Sequence, residues 1–308
     1  MTAWTFDDIP DQTGRTAIVT GANTGIGRET ARMLALRGAD VVLACRNRDK
    51  AQAAADAIAG EKPRGQVSVA ALDLSDLTSV AAFAADFTAR HDRLDLLINN
   101  AGVMVPPLGR TAQGFELQLG TNHLGHFALT AHLLPLVQRT AGSRVVTVSS
   151  TAQNLGVIDF DDLQWERRAY SDWRAYGQSK LANTLFFLEL HRRLGAAGSH
   201  VRSTAAHPGW TATDLQRTAG ITRMLNPLFA MKPADGALPT LRAATDPGAA
   251  SGSYWGPSRF FELSGPPKPA KIPRRARDEA VAERLWTTSE RLTGVTFPLA
   301  PAAGQRAA

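Results

Sequence analysis

The chain has 308 residues, 44% of them hydrophobic and 20% charged, with 26 Gly and 17 Pro; this balance supports a substantial core and excludes fibrous and disordered classes. The formal charge is +6, but the basic residues are scattered, as in Arg28, Arg32, Arg37 and Arg48, with one late run at Arg274, Arg275 and Arg277, so a nucleic-acid partner is not expected. Cys45 is the single cysteine, which excludes an intramolecular disulfide and a cysteine metal cage.

The opening stretch MTAWTFDDIPDQTGR is acidic and has no apolar run, unlike a secretory signal. Apolar stretches elsewhere break within about ten residues, too few to span a bilayer. A cytoplasmic protein without an integral membrane span is expected. In chain order, residues 15–20 (RTAIVT) read as a buried strand and 25–37 as an amphipathic helix. A strand at 40–45, an alanine-rich helix at 47–60, a strand at 67–72, a helix at 76–90 and a strand at 94–98 follow. A helical region at 112–138, a strand at 143–149, a long helix at 173–195 and a strand at 200–205 come next. The stretch 209–230 has no clean period. A helix at 233–245, a strand near 252–256 and a terminal helix at 277–293 close the chain. Short β-branched runs alternating with longer helical segments predict repeated right-handed βαβ units. The fold class expected is α/β, a single doubly wound, Rossmann-type parallel sheet with helices on both faces. No linker or repeat divides it, so residues 1–308 read as one domain with its core at 12–295, a substrate lid at 210–232 and a flexible tail at 296–308. The Pro/Arg segment 266–277 reads as an exposed loop.

Between the first strand and helix stands Gly21-Ala22-Asn23-Thr24-Gly25-Ile26-Gly27. A glycine-rich turn there lets backbone approach a pyrophosphate, whose charge sits at the helix N-terminus. The spacing alone is weak; its place between strand and helix gives it weight. At the tip of the second strand an acid would bind ribose hydroxyls, whereas an Arg accommodates a 2′-phosphate. Arg46 stands there with no acid beside it and with Arg28 in reach of the same end, so NADP(H) is expected in preference to NAD(H). Asp73-Leu74 after the third strand reads either as an adenine contact or as a helix cap. Asn100-Ala101-Gly102 after the fourth reads as a close backbone approach to the cofactor or as a turn.

Of three tyrosines, only Tyr176 has a lysine four residues on, Lys180, on the same helix face. A phenol is a poor base near neutrality; a neighbouring ammonium would lower its pKa. Such a pair also arises by chance on exposed helices, so the context decides. Upstream, Val145–Ser150 is a buried strand that ends in two hydroxyls at the edge where doubly wound sheets bind ligands. Ser149 and Ser150 are both open as the substrate-oxygen contact.

Taken together, TGANTGIG, NNAG, the strand-end serine and YxxxK resemble the short-chain dehydrogenases/reductases. Further segments resemble their retinol-dehydrogenase-like branch: ACRN (44–47), TNHLGHF (121–127), VSSTAQ (148–153), YGQSKLAN (176–183) and HPGW (207–210). The resemblance covers residues 12–295. It implies that Ser150 is the substrate-oxygen serine, Tyr176 the proton donor, Lys180 the ribose-binding lysine that lowers the tyrosine pKa, and Asn122 the asparagine of a proton relay. It also implies that Pro208, Gly209 and Thr213 contact the nicotinamide. The expected partner is a small carbonyl or alcohol, a hydrophobic aldehyde, ketone or secondary alcohol, and a second copy of the chain is a possible companion. Trp173 and Trp210, with Trp165, Tyr170 and the apolar residues of 210–232, are candidates to line an apolar pocket or to pack an insertion. His123, His126 and His207 read as packed histidines rather than ligands. Two other functions fit less well. A nucleotide-sugar epimerase or dehydratase needs a longer substrate domain, and a cofactor-sensing binding module typically loses the tyrosine or the lysine.

Overall fold

The computed structural model describes residues 3–211 and 231–299. Its elements are β1 (Thr16–Thr20), α1 (Gly25–Leu36), β2 (Asp40–Cys45), α2 (Arg48–Gly60), β3 (Val67–Ala71), α3 (Leu77–Arg90) and β4 (Leu96–Asn99). A single turn α4 (Leu117–Leu119) leads through a π-turn at Gly120–Leu124 into α5 (Gly125–Arg139). Then come β5 (Arg144–Val148), α6 (Asp172–Ala196), β6 (Arg202–Ala206), α7 (Pro233–Thr245), β7 (Tyr254–Arg259), β8 (Ser264–Pro269) and α8 (Glu279–Thr293).

The strands form one sheet in the order β3-β2-β1-β4-β5-β6-β7-β8. Every pairing is parallel except β7 with β8. Registers such as Thr20 opposite Ala44 and Asn99 opposite Thr147 bring the carboxyl ends of the central strands to one level. The central strands are short apolar runs because both faces are covered. Successive side chains alternate between the layers: Ala17 and Val19 pack with Leu34 and Ile58, whereas Ile18 packs with Phe83, Phe127 and Leu133 on the other face. Helices α1, α2 and α7 cover the first face, and α3, α5, α6 and α8 contribute to the second.

Three expectations need correction. The segment 266–277 is no simple loop: Ser264–Pro269 is an antiparallel edge strand, and Arg274–Arg277 forms a 3-10 turn. Prolines argue against a central strand, but at an edge their missing N–H costs nothing and blunts pairing with another chain. The tail, read as flexible from 296 on, is packed through residue 299, because Phe297 is buried and Leu299 rests on the second core; residues 300–308 lie outside the described residues, as does most of the 210–232 lid. The helical region at 112–138 begins only at Leu117.

Phe297 closes an aromatic cluster with Phe127 at 4.9 Å, Trp286 at 4.3 Å and Phe186 at 6.2 Å between ring centroids. Phe127→Ala removes the ring they share and is expected to destabilise the fold by about 3–5 kcal/mol, read as a lowered thermal midpoint by circular dichroism. His123, tilted against Phe127, and His126, three residues on, are almost completely buried. Burial lowers their pKa values to about 3 and about 4. Their ordinary value is about 6.5, so between that pH and about 4 the unfolded chain binds protons that the native state refuses. Stability is therefore expected to fall as pH drops from 6.5 towards 4.5. Urea midpoints at pH 7 and pH 5 test this, and His123→Gln is expected to shrink the difference.

Candidate active site

A cleft of about 700 Å³ opens along the carboxyl edge of the sheet, a size suited to a dinucleotide with room for a small substrate. It crosses the point where the strand order reverses, between β1 and β4, the position at which open α/β sheets hold their ligands. Its central wall is the glycine turn. Gly21, Asn23, Thr24, Gly25, Ile26 and Gly27 all line it. Gly21 and Gly25 take φ of +66° and +57°, a region that favours glycine. A Cβ on Gly27 would lie 2.5 Å from Asn100 Nδ2 and 2.6 Å from Gly21 O, so no other residue fits that contact. Asn100 is held from β1, where its Nδ2 donates to Thr20 O at 2.8 Å. Asn100, Ala101 and Gly102 line the cleft, as expected.

At one end of the cleft lie Arg46, Asn47 and Lys50, with Asp73 and Leu74 beside them. Asp73 is the only carboxylate among the described lining residues. Its Oδ1 accepts from Ser75 N and Oγ at 2.9 and 2.6 Å, so the side chain braces its own turn while it faces the cleft, and the cap of α3 is Asp76. Arg28 does not join the cationic end: its guanidinium pairs with Glu29 at 3.0 Å. Lys50 takes that place and escaped sequence reasoning, because only the first turn of α2, whose N-terminal Asn47 Oδ1 accepts from Lys50 N at 2.9 Å, brings it level with Arg46. The lone thiol, Cys45, is buried beneath the glycine turn, and burial pushes its pKa up to about 11.

The other end holds the titratable pair. Tyr176 and Lys180 project from α6 into the cleft and are only 4% and 3% exposed. Burial acts on them in opposite senses, because each loses hydration of its charged form. The phenol is pushed up to about 12, offset in part by a hydrogen bond with Ser150, and the ammonium is brought down to about 8. Lys180 Nζ stands 5.7 Å from the Tyr176 ring centre and donates to Val148 O at 3.2 Å. The two serines part company. Ser149 Oγ donates to Lys180 O at 2.8 Å and accepts from Thr184, so it ties β5 to α6. Ser150 starts the 3-10 turn Thr151–Leu155 and turns its hydroxyl towards Tyr176.

Asn122 sits in the π-turn and does not line the cleft. Its Oδ1 accepts from Val103 N at 2.8 Å, and its Nδ2 donates to Val103 O and Ser179 Oγ. Pro208, Gly209 and Trp210 line the cleft from the loop after β6. His207 braces that loop by pairing with Glu262 at 3.2 Å. Thr213 lies outside the described residues. Of the aromatics between Ser150 and Tyr176, Trp173, in the first turn of α6, alone lines the cleft, edge-on to Tyr176 with ring centres 6.4 Å apart. Trp165 is buried under the Arg168 guanidinium, and Tyr170 donates to Glu116 at 3.0 Å; both pack the insertion rather than the pocket. His123 Nε2 meets Ser289 Oγ at 2.9 Å, away from the cleft.

Residues 15–223 match the family model described as short chain dehydrogenase. The chain is 45% identical over 296 residues to human retinol dehydrogenase 13, covering 92% of this chain and 86% of that protein. It is 46% identical over 287 residues to mouse retinol dehydrogenase 11, with 92% and 87% covered. Among solved structures, an uncharacterized protein from Mycobacterium Paratuberculosis superposes with a TM-score of 0.81 at 46% identity, covering 97% of this chain and all of that one. A Shigella flexneri short chain dehydrogenase complexed with NADP aligns with a TM-score of 0.65 at 28% identity, covering 79% of this chain and 97% of that one. With the glycine turn, the β1–β4 crevice and the tyrosine–lysine helix in place, the chain belongs to the short-chain dehydrogenase family, in its retinol-dehydrogenase-like branch.

Proposed function

We propose that this short-chain dehydrogenase transfers a hydride between NADP(H) and a hydrophobic aldehyde, ketone or secondary alcohol, with Tyr176 as the acid/base. The observation that carries the reading is the buried Tyr176–Lys180 pair with Ser150 at one end of a cleft whose other end is cationic. The residues present fit a phosphorylated dinucleotide. The missing Cβ atoms of Gly21 and Gly27 let the turn close against Ala101 and Asn100, and the turn lines the cleft at the N-terminus of α1, where diphosphate charge is favourable. Arg46 and Lys50 supply the positive charge that a 2′-phosphate needs, and no carboxylate other than Asp73 lines the described cleft to favour free ribose hydroxyls. Asp73 and Leu74, which line the cleft with Arg46, are assigned to the adenine. Pro208 and Gly209 stand at the nicotinamide end, with Thr213 assigned there on the sequence alone. When bound, the nicotinamide supplies or accepts the hydride.

This chain's own residues handle the oxygen and the proton. Ser150 Oγ, which meets the Tyr176 hydroxyl, donates to the substrate oxygen in this reading and so polarises it beside the phenol. A phenol raised to about 12 stays protonated near neutrality, the form that gives a proton to a developing alkoxide. The Lys180 ammonium, from within a low-dielectric site, stabilises the phenolate left behind and binds ribose hydroxyls. Asn122 is assigned to the proton relay on the sequence alone, and its side chain is held by Val103 and Ser179. Trp173, Trp210, Leu155, Met104 and Leu263 give the mouth an apolar wall, and relatives named for retinol support an apolar alcohol or carbonyl. No helix of the described residues is long and apolar enough to cross a membrane, and the cytoplasm is the compartment this reading implies.

A screen of aldehydes and ketones with purified protein, followed by NADPH oxidation, tests the activity. Tyr176→Phe is expected to lower kcat by about 10²–10⁴-fold; undiminished turnover refutes the acid/base assignment. Arg46→Asp is expected to reverse the ratio of kcat/KM for NADPH over NADH, and tighter binding of NADH than NADPH by the unaltered chain sinks the phosphate argument.

A further inference from the structure

His126 is almost completely buried on α5, at the back of the cleft's central wall, and is not itself a lining residue. Burying an imidazole is costly unless both nitrogens find partners, and here both do. Nδ1 lies 3.0 Å from the main-chain oxygen of Asn122. A carbonyl only accepts, so Nδ1 carries the proton. Nε2 then presents a lone pair, and it lies 2.9 Å from Thr20 Oγ1. The Thr20 oxygen already accepts from Asn100 N and Ala101 N, both at 2.9 Å. Those two contacts use its lone pairs, leaving its single proton for Nε2 or for the more distant Ile98 O at 3.3 Å. The result is a directed chain from the Asn100 and Ala101 amides through Thr20 and His126 to Asn122.

We infer that His126 is a positioning residue for the cofactor: by accepting the Thr20 hydroxyl proton it orients that oxygen towards Asn100 and Ala101 and so sets the gap between the glycine turn and the β4 loop. The gap has no slack. Asn100 Nδ2 also donates to Thr20 O, and it stands 2.5 Å from where a Cβ of Gly27 would be. A rotated Thr20 hydroxyl loosens Asn100, and Asn100 abuts the first turn of α1, where the diphosphate is to be held. His123, three residues earlier and equally buried, makes no such link, since its Nε2 meets Ser289 on α8. It serves as an internal control.

The inference rests on the nicotinamide-cofactor reading but not on the catalytic roles, so the readout is binding. NADPH is titrated by fluorescence against the full chain and its variants, with thermal midpoints recorded alongside. His126→Phe is expected to weaken NADPH binding at least tenfold. His126→Asn, whose amide reaches only the Asn122 side, is expected to share that loss. His126→Gln, whose amide oxygen reaches the Thr20 side, is expected to stay within threefold of the unaltered chain. Thr20→Val is expected to weaken binding by itself and to add little to His126→Phe, whereas His123→Gln is expected to shift only the thermal midpoint. Folded His126→Phe or His126→Asn that binds NADPH as the unaltered chain does overturns the inference. An equal binding loss in His123→Gln does so too, because the effect is then general core packing. If the unaltered chain binds neither NADPH nor NADH, the cofactor reading itself fails.

Discussion

The arrangement depends on how closely two strand ends approach at the reversal of the sheet. β1 and β4 are neighbours only because the chain winds outward to β3 and then returns to the opposite side of β1. Their carboxyl ends diverge into a glycine turn and an Asn-Ala-Gly loop, and the space between these is fixed by Thr20, Asn100 and the missing Cβ of Gly27. Any widening would separate the helix N-terminus of α1 from the residues across the cleft. Any narrowing is opposed by contacts already below 3 Å for a hypothetical Cβ. The crevice is therefore a consequence of topology first and of side-chain chemistry second.

The same low-dielectric interior that stabilises the sheet also prepares the titratable groups. α6 carries Tyr176 and Lys180 between β5 and the 3-10 turn that follows it, and burial moves the phenol up and the ammonium down. Neither shift requires a charged neighbour; loss of water is the first cause of both. Burial also keeps His123 and His126 neutral, which leaves each with one donor and one acceptor nitrogen. A neutral histidine is a directional connector, and the direction of each bond follows from whether its partner is a carbonyl or a hydroxyl.

Around this centre the protein closes its boundaries in different ways. The edge of the sheet ends in a proline-rich strand, β8, that offers few donors to a further strand. The C-terminal residues turn back so that Phe297 completes an aromatic cluster with Phe127 and Trp286. The first turn of α6 places one aromatic, Trp173, at the cleft, while Trp165 and Tyr170 secure the insertion before it through Arg168 and Glu116.

Much of this was legible in the sequence. The alternation of short β-branched runs with longer amphipathic segments determined the doubly wound sheet, since each run has the length and composition of a strand buried on both faces. The glycine spacing before α1 and the four-residue spacing of Tyr176 and Lys180 determined which residues share a turn or a helix face, because local backbone geometry alone sets those relations. Contacts between distant segments were another matter. Only the folded chain tied Ser149 to the main chain of Lys180, turned Arg28 towards Glu29 and brought Lys50 beside Arg46. Only there did prolines become an edge strand and the first residues of a supposed tail pack on the core. A side chain's partners across tens of residues depend on register, burial and the space left by its neighbours, and none of these is written in local spacing. Lone histidines in a helix looked like ordinary packing; the tertiary structure gave His126 two partners from different segments and thereby a direction.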